Sequence, residues 1–200
     1  YNFFMIIVDV ETTGIDTDRC SIVSIGAIDF ASLETFYQEN RMFRNALIEQ
    51  EALDLNGFTR KEIRDSKKPS LERNVMDFLM WIDNFEDKTL AGQNVHYDSR
   101  ILKVSAERYN LPWVSGYGIV DLHSLTVGHQ LRRGLNPIMH DNRAALRGDE
   151  IYNYVGMNNE PKPHNALKGV LYEAEAFSRI IYGKNLLPQF KDLSIPDYLK

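Results

Sequence analysis

The feature that most constrains this chain is an apolar run that ends in two acids. Phe3-Phe4-Met5-Ile6-Ile7-Val8 reads as a buried strand and runs directly into Asp9-Val10-Glu11-Thr12-Thr13-Gly14. Residues i and i+2 of a strand share a face, so both carboxylates point the same way. Like charges at the end of a buried strand are costly unless something neutralises them, and a hard divalent cation with its preference for carboxylate oxygen does so directly. Thr12-Thr13-Gly14 reads as a tight turn with free backbone donors. The chain therefore opens with half of a metal site.

The remaining pattern predicts one α/β domain. Residues 20–30 and 35–43 read as two further strands, joined by a turn at Ser32-Leu33-Glu34, which makes a three-stranded antiparallel meander. A loop through Leu53, Asn56-Gly57 and Phe58 follows. Val75, Phe78, Leu79 and Ile82 recur at i, i+3, i+4 and i+7 and predict a helix starting near Ser70. Short strands at residues 89–91 and 118–121 flank a helix over 99–109. Residues 134–163 are turn-rich, with one helix at about 150–155. A final helix spans about 164–181, with Leu167, Val170, Leu171, Ala174, Phe177 and Ile181 on its buried stripe. A meander followed by alternating strands and helices indicates a mixed sheet with helices on both faces. The expected division is a domain over residues 1–185 and a C-terminal tail over 186–200 that packs loosely.

Composition narrows the function classes. No apolar stretch approaches the roughly 20 residues of a membrane-spanning helix. No signal-peptide pattern precedes the first strand, and the single cysteine, Cys20, excludes an internal disulfide and fits a cytoplasmic location. The net charge of −5 lacks the basic footprint of a sequence-independent nucleic-acid binder. Arg60-Lys61, Lys67-Lys68 and Arg132-Arg133 read as solvated surface.

Two more segments complete a constellation. Gly92-Gln93-Asn94-Val95-His96-Tyr97-Asp98 follows a short strand and leads into a helix. An Asp there is more often a helix cap than a metal ligand. Pro163-His164-Asn165-Ala166-Leu167 opens the last helix, and an imidazole beside a metal site can take a proton from water near neutral pH.

These residues resemble the motifs of the DEDDh exonucleases: Asp9-x-Glu11-Thr12-Thr13-Gly14, Gly92-x-Asn94-x-x-x-Asp98 and His164-x-Ala166-Leu167, in order over residues 3–182. The resemblance implies an RNase H-like fold and a 3′→5′ exonuclease that releases nucleoside monophosphates from single-stranded DNA or RNA ends with two Mg2+ or Mn2+ ions. It implies that Asp9 bridges both metals, Glu11 binds one, Asp98 serves the second, and His164 is the general base. Thr12, Thr13, Gly14 and Asn94 would contact substrate, and Phe58 would stack on the last base. Implied partners are a nucleic-acid 3′ end, a second copy of the chain, or a polymerase or larger assembly.

One position departs from the pattern. The family continues His-x-Ala-Leu-x-Asp, and here that Asp is Gly169. The expectation is severely reduced activity, whether the glycine is natural or introduced. Glu173, one turn further on, reaches the site only if helix or metal moves, and Glu175 points elsewhere. The alternative reading is a catalytically inactive nucleic-acid-binding or scaffolding protein on the same fold. Trp81, Trp113, Tyr152 and Tyr154 read as packing residues.

Overall fold

The structure is a computed structural model that describes residues 5–200, so Phe3 and Phe4 of the first apolar run lie outside the described residues. Three strands, β1 (Ile6–Thr12), β2 (Ile22–Asp29) and β3 (Thr35–Glu39), form the expected antiparallel meander. Two short strands, β4 (Leu90–Gly92) and β5 (Ile119–Asp121), run parallel to β1 and complete a sheet of order β3-β2-β1-β4-β5.

The alternation of β1 decides the layers. Val8 and Val10 face a core with α2 (Leu71–Ile82) and α3 (His96–Arg108), whereas Met5 and Ile7 face the opposite core under α6 (Ala166–Tyr182). Asp9 and Glu11 have the parity of Ile7 and lie on the α6 side. Helix α2 starts where Ser70 accepts a hydrogen bond from the Arg73 amide, and α6 starts where Asn165 accepts from the Lys168 amide. Gly26 of β2 lets α6 approach closely: a Cβ there would lie 2.3 Å from the Ala166 carbonyl carbon and oxygen.

Four local expectations are corrected. Residues 50–56, read as a loop, form the short helix α1 (Gln50–Asn56), closed by Gly57 in the left-handed conformation at φ 76°. Residues 122–132, given no element from sequence, form α4 (Leu122–Arg132), capped by Asp121 accepting from the Ser124 amide. Within the turn-rich stretch, β6 (Met139–His140) and β7 (Arg143–Ala144) form a small hairpin ahead of α5 (Gly148–Tyr154). The C-terminal segment does not pack loosely. Leu187, Phe190 and Leu199 are buried, and the fully buried Arg179 donates to the Phe190 and Leu193 carbonyls while pairing with Glu175 at 2.8 Å.

Candidate active site

Strand β1 pairs with β4 only at Ile6 and Ile7. Beyond Ile7 the parallel neighbours separate, and a crevice opens at their carboxyl ends, where open α/β sheets place their ligands. The Val10 amide, left without a strand partner on that side, donates to Asp98 Oδ1 at 3.1 Å. Asp98 therefore ties the start of α3 to β1 between Asp9 and Glu11. It is not the α3 cap: the cap position is Val95, without a side-chain cap bond.

Asp9, Gly169, His164 and Glu173 line one cavity of about 520 Å3, together with Glu160, Tyr152, Leu55 and Gln93. Glu11 and Asp98 are buried beside it. Burial is the main force on all these acids. It raises Asp9 to about 7, helped by the Glu160 charge and opposed by the Val10 amide. It raises Glu11 to about 8, with the charges of Asp9 and Glu160 adding to it and the Asn56 side chain opposing. Asp98 and Glu173 are pushed well above the carboxylate range by burial and then by Asp9. Among the described residues, no lysine or arginine forms an ion pair with Asp9, Glu11, Asp98 or Glu173.

Half-buried Asp9 and buried Glu11, Asp98 and Glu173, all oxygen donors without a counter-cation, form a set suited to a hard divalent ion. Oε2 of Glu173 is buried with no hydrogen-bond partner among the described residues, an orphan of the kind a cation would satisfy. Still, no three His, Cys, Asp or Glu side chains among the described residues stand as a ready-made metal cage. The donor set fits a hard divalent ion by its chemistry, not as a preformed cage.

His164 stands at the cavity wall just ahead of α6. Its backbone amide donates to the Leu55 carbonyl at 3.1 Å, and Pro163 packs against Gly57, where a Cβ would lie 2.8 Å away. The Asn56-Gly57 turn thus fixes the position of the imidazole. His164 Nδ1 lies 3.7 Å from Glu160 Oε2.

The remaining sequence-derived residues are placed less uniformly. Thr12 donates from Oγ1 to the Gly14 carbonyl and receives a bond from the Tyr97 hydroxyl. Thr13 has no free donor: its amide bonds the Ser21 carbonyl and its hydroxyl the Leu47 carbonyl. The Ile15 amide is likewise taken, by Glu49. The Thr13 and Ile15 amides are thus engaged within the protein, because the turn is tied down by the segments at 21 and 47–49. Asn94, at φ 57°, donates its amide to Asp121 and faces a neighbouring cavity with His123 and His140, away from Asp9. Phe58 packs on Leu53 and Ile63 with the Lys68 ammonium 4.7 Å from its ring centre, so Leu55, not Phe58, forms the apolar cavity wall.

Sequence reasoning did not single out Glu160 or Gln93, and it read Tyr152 as packing. Tyr152 is indeed packed, but it also lines the cavity. A second surface was missed as well. Arg19, Arg44, Arg60 and Arg64 line a groove of about 570 Å3 beside Phe43. Ile48, just ahead of α1, lines this groove, and Leu55 of α1 lines the acidic cavity.

The fold is shared with solved nucleases of low sequence identity. Cell-death related nuclease 4 (CRN-4) superposes with a TM-score of 0.71 at 15% identity, covering 91% of this chain and 64% of its own. The nuclease domain of 3′hExo, a DEDDh family member solved with rAMP, gives 0.69 at 14% identity and 98% of both chains. E. coli Exonuclease I in complex with a dT13 oligonucleotide gives 0.70 at 15% identity, covering 89% of this chain and 41% of that one. The chain thus spans less than two thirds of CRN-4 and of Exonuclease I. No curated protein matches the sequence. Residues 4–181 match the model of the Rv2179c-like 3′-5′ exoribonuclease domain, and with nearly the whole length covered the chain belongs to that family.

Proposed function

We propose that this chain removes nucleotides from the 3′ end of single-stranded RNA by divalent-metal-assisted hydrolysis, releasing nucleoside monophosphates. The observation that carries the reading is the crevice itself: half-buried Asp9 and buried Glu11 and Asp98 without counter-cations, and His164 on the wall of the same cavity. The family's description as exoribonucleases supports RNA over DNA as the substrate. DEDDh exonucleases as a class use divalent metal ions.

Asp9, Glu11 and Asp98 are the residues to hold the ions. Mg2+ or Mn2+ ions held there would supply Lewis acidity for phosphodiester hydrolysis. Glu160 faces the Nδ1 side of His164, which leaves Nε2 to accept the proton of the attacking water. Lys162 and Arg147 at the cavity provide cations for the scissile phosphate, and Leu55 offers an apolar wall to the terminal base. The groove of Arg19, Arg44, Arg60 and Arg64 supports a path for upstream phosphates and offsets the net negative charge of the chain locally.

The test is digestion of 5′-labelled single-stranded RNA and DNA of one sequence with Mn2+ or Mg2+. A ladder shortening from the 3′ end, abolished by chelation and faster on RNA, is the expected result. His164→Gln should lower kcat by about 10²–10⁴ and leave Mn2+ binding intact. Metal-saturated protein that cuts neither strand would refute the assignment.

A further inference from the structure

We propose that Glu173 is the fourth carboxylate of the metal site, supplied from α6 one turn beyond the position where Gly169 carries no side chain. The proposal rests on the metal-dependent reading above. Residues 169 and 173 are four apart and share one face of α6. That face is turned into the cavity that holds Asp9, since both Gly169 and Glu173 line it.

The geometry explains why the acid sits at 173 and not at 169. An ideal Cβ on Gly169 would lie 2.2 Å from Asp9 Oδ2. The Asp9 carboxylate therefore occupies the space that a side chain at 169 would fill. Glu173 meets the crevice from the next turn, and its carboxylate reaches the β4 side. A Cβ on Gly92 would lie 3.1 Å from Glu173 Oε2 and 2.9 Å from the Val8 carbonyl oxygen. Gly92 thus leaves the opening into which the longer glutamate extends, between β1 and β4, where Asp98 also enters.

The protein meets the Glu173 carboxylate only in part, with the Gln93 backbone amide on one side and no ion-pair partner among the described residues. Glu173 is 6% exposed, and its Oε2 has no partner among the described residues. A buried carboxylate with an unmet oxygen is normally selected against unless a ligand satisfies it. The nearest comparison is Glu175 on the same helix, which is matched by Arg179 and by the Leu186 and Leu187 amides. Glu175 is thereby explained as a fold-stabilising acid, whereas Glu173 is explained as a ligand. On this view the carboxylate absent at 169 has been relocated, and Gly169 by itself does not disable the site.

The experiment is Mn2+ binding to the full chain without nucleic acid, read by electron paramagnetic resonance of free Mn2+ and by calorimetry. Parent, Asp9→Asn, Glu173→Gln and Glu173→Asp are compared, with metal-free melting temperatures recorded alongside. The expected result is that Asp9→Asn nearly abolishes binding, and that Glu173→Gln weakens it at least tenfold without lowering the metal-free melting temperature. If Glu173→Gln does not fold, Glu173→Asp, which keeps the charge and withdraws the oxygens by one methylene, is expected to weaken binding measurably. Binding weakened by Asp9→Asn but unchanged by a folded Glu173 variant would overturn this proposal and leave the metal-dependent reading standing. A parent chain that binds no Mn2+ would overturn both.

Discussion

Raising the pH of the metal-free protein from about 6 to about 9 is expected to destabilise it, and magnesium is expected to abolish most of that loss. Asp9 and Glu11 are raised by burial to about 7 and about 8. Their folded-state values lie above their unfolded ones, so between the two the native state binds more protons. Stability then falls as pH rises through the folded values and levels off above about 8. Starting at about pH 6, Asp9 contributes roughly one unit of this linkage and Glu11 roughly two. At about 1.4 kcal/mol per unit the sum is on the order of 4 kcal/mol. For a chain of this size that corresponds to a fall in Tm on the order of 10 °C. Asp98 and Glu173 are shifted in the same direction and add to it. A divalent ion favours the ionised carboxylates and binds the native state alone, so saturating Mg2+ should flatten the slope. Differential scanning calorimetry in chelator and in excess Mg2+ provides the measurement, with Asp9→Asn/Glu11→Gln as the control that removes the two groups. A control with the parent's metal-free slope, or a parent Tm independent of pH over this range, would refute the reasoning.

Three further outcomes follow from packing and charge. Arg179→Met should cost about 3–5 kcal/mol in urea denaturation, because it strands the fully buried Glu175, and limited proteolysis should then cut first within residues 186–200. Gly26→Ala should destabilise by about 3 kcal/mol, because its Cβ meets Ala166 backbone that cannot yield. Arg60→Glu with Arg64→Glu should raise KM for a long RNA and reduce the slope of log affinity against log salt by about 1–2, while hydrolysis of a dinucleotide stays near the parental rate.

Much of this protein was legible along the chain because the signals are local. The apolar run into Asp9 and Glu11, the alternation of β2 and the 3.6-residue stripes of α2 and α6 each depend on a few neighbouring residues. Helix α1 was missed because seven residues carry too little periodicity, and α4 because polar residues interrupt its apolar face, with Thr126 and Gln130 buried in it. The tail read as loose because its anchors, Arg179 and Glu175, lie on a different element.

The order of motifs is read directly along the chain, and the shared face of Asp9 and Glu11 follows from a strand's two-residue repeat, so both were determined by sequence alone. Asp98 was legible as their partner from its motif, but only the tertiary structure decided that Glu160 and Glu173 join them. Glu160 and Glu173 lie 151 and 164 positions from Asp9, and no local pattern ties them to it. They meet it because Gly26 lets α6 lie close on the sheet and because Gly169 has no Cβ to hold Asp9 away. Close packing of elements distant in sequence, controlled by two missing methyl groups, is what assembles the acids of this crevice.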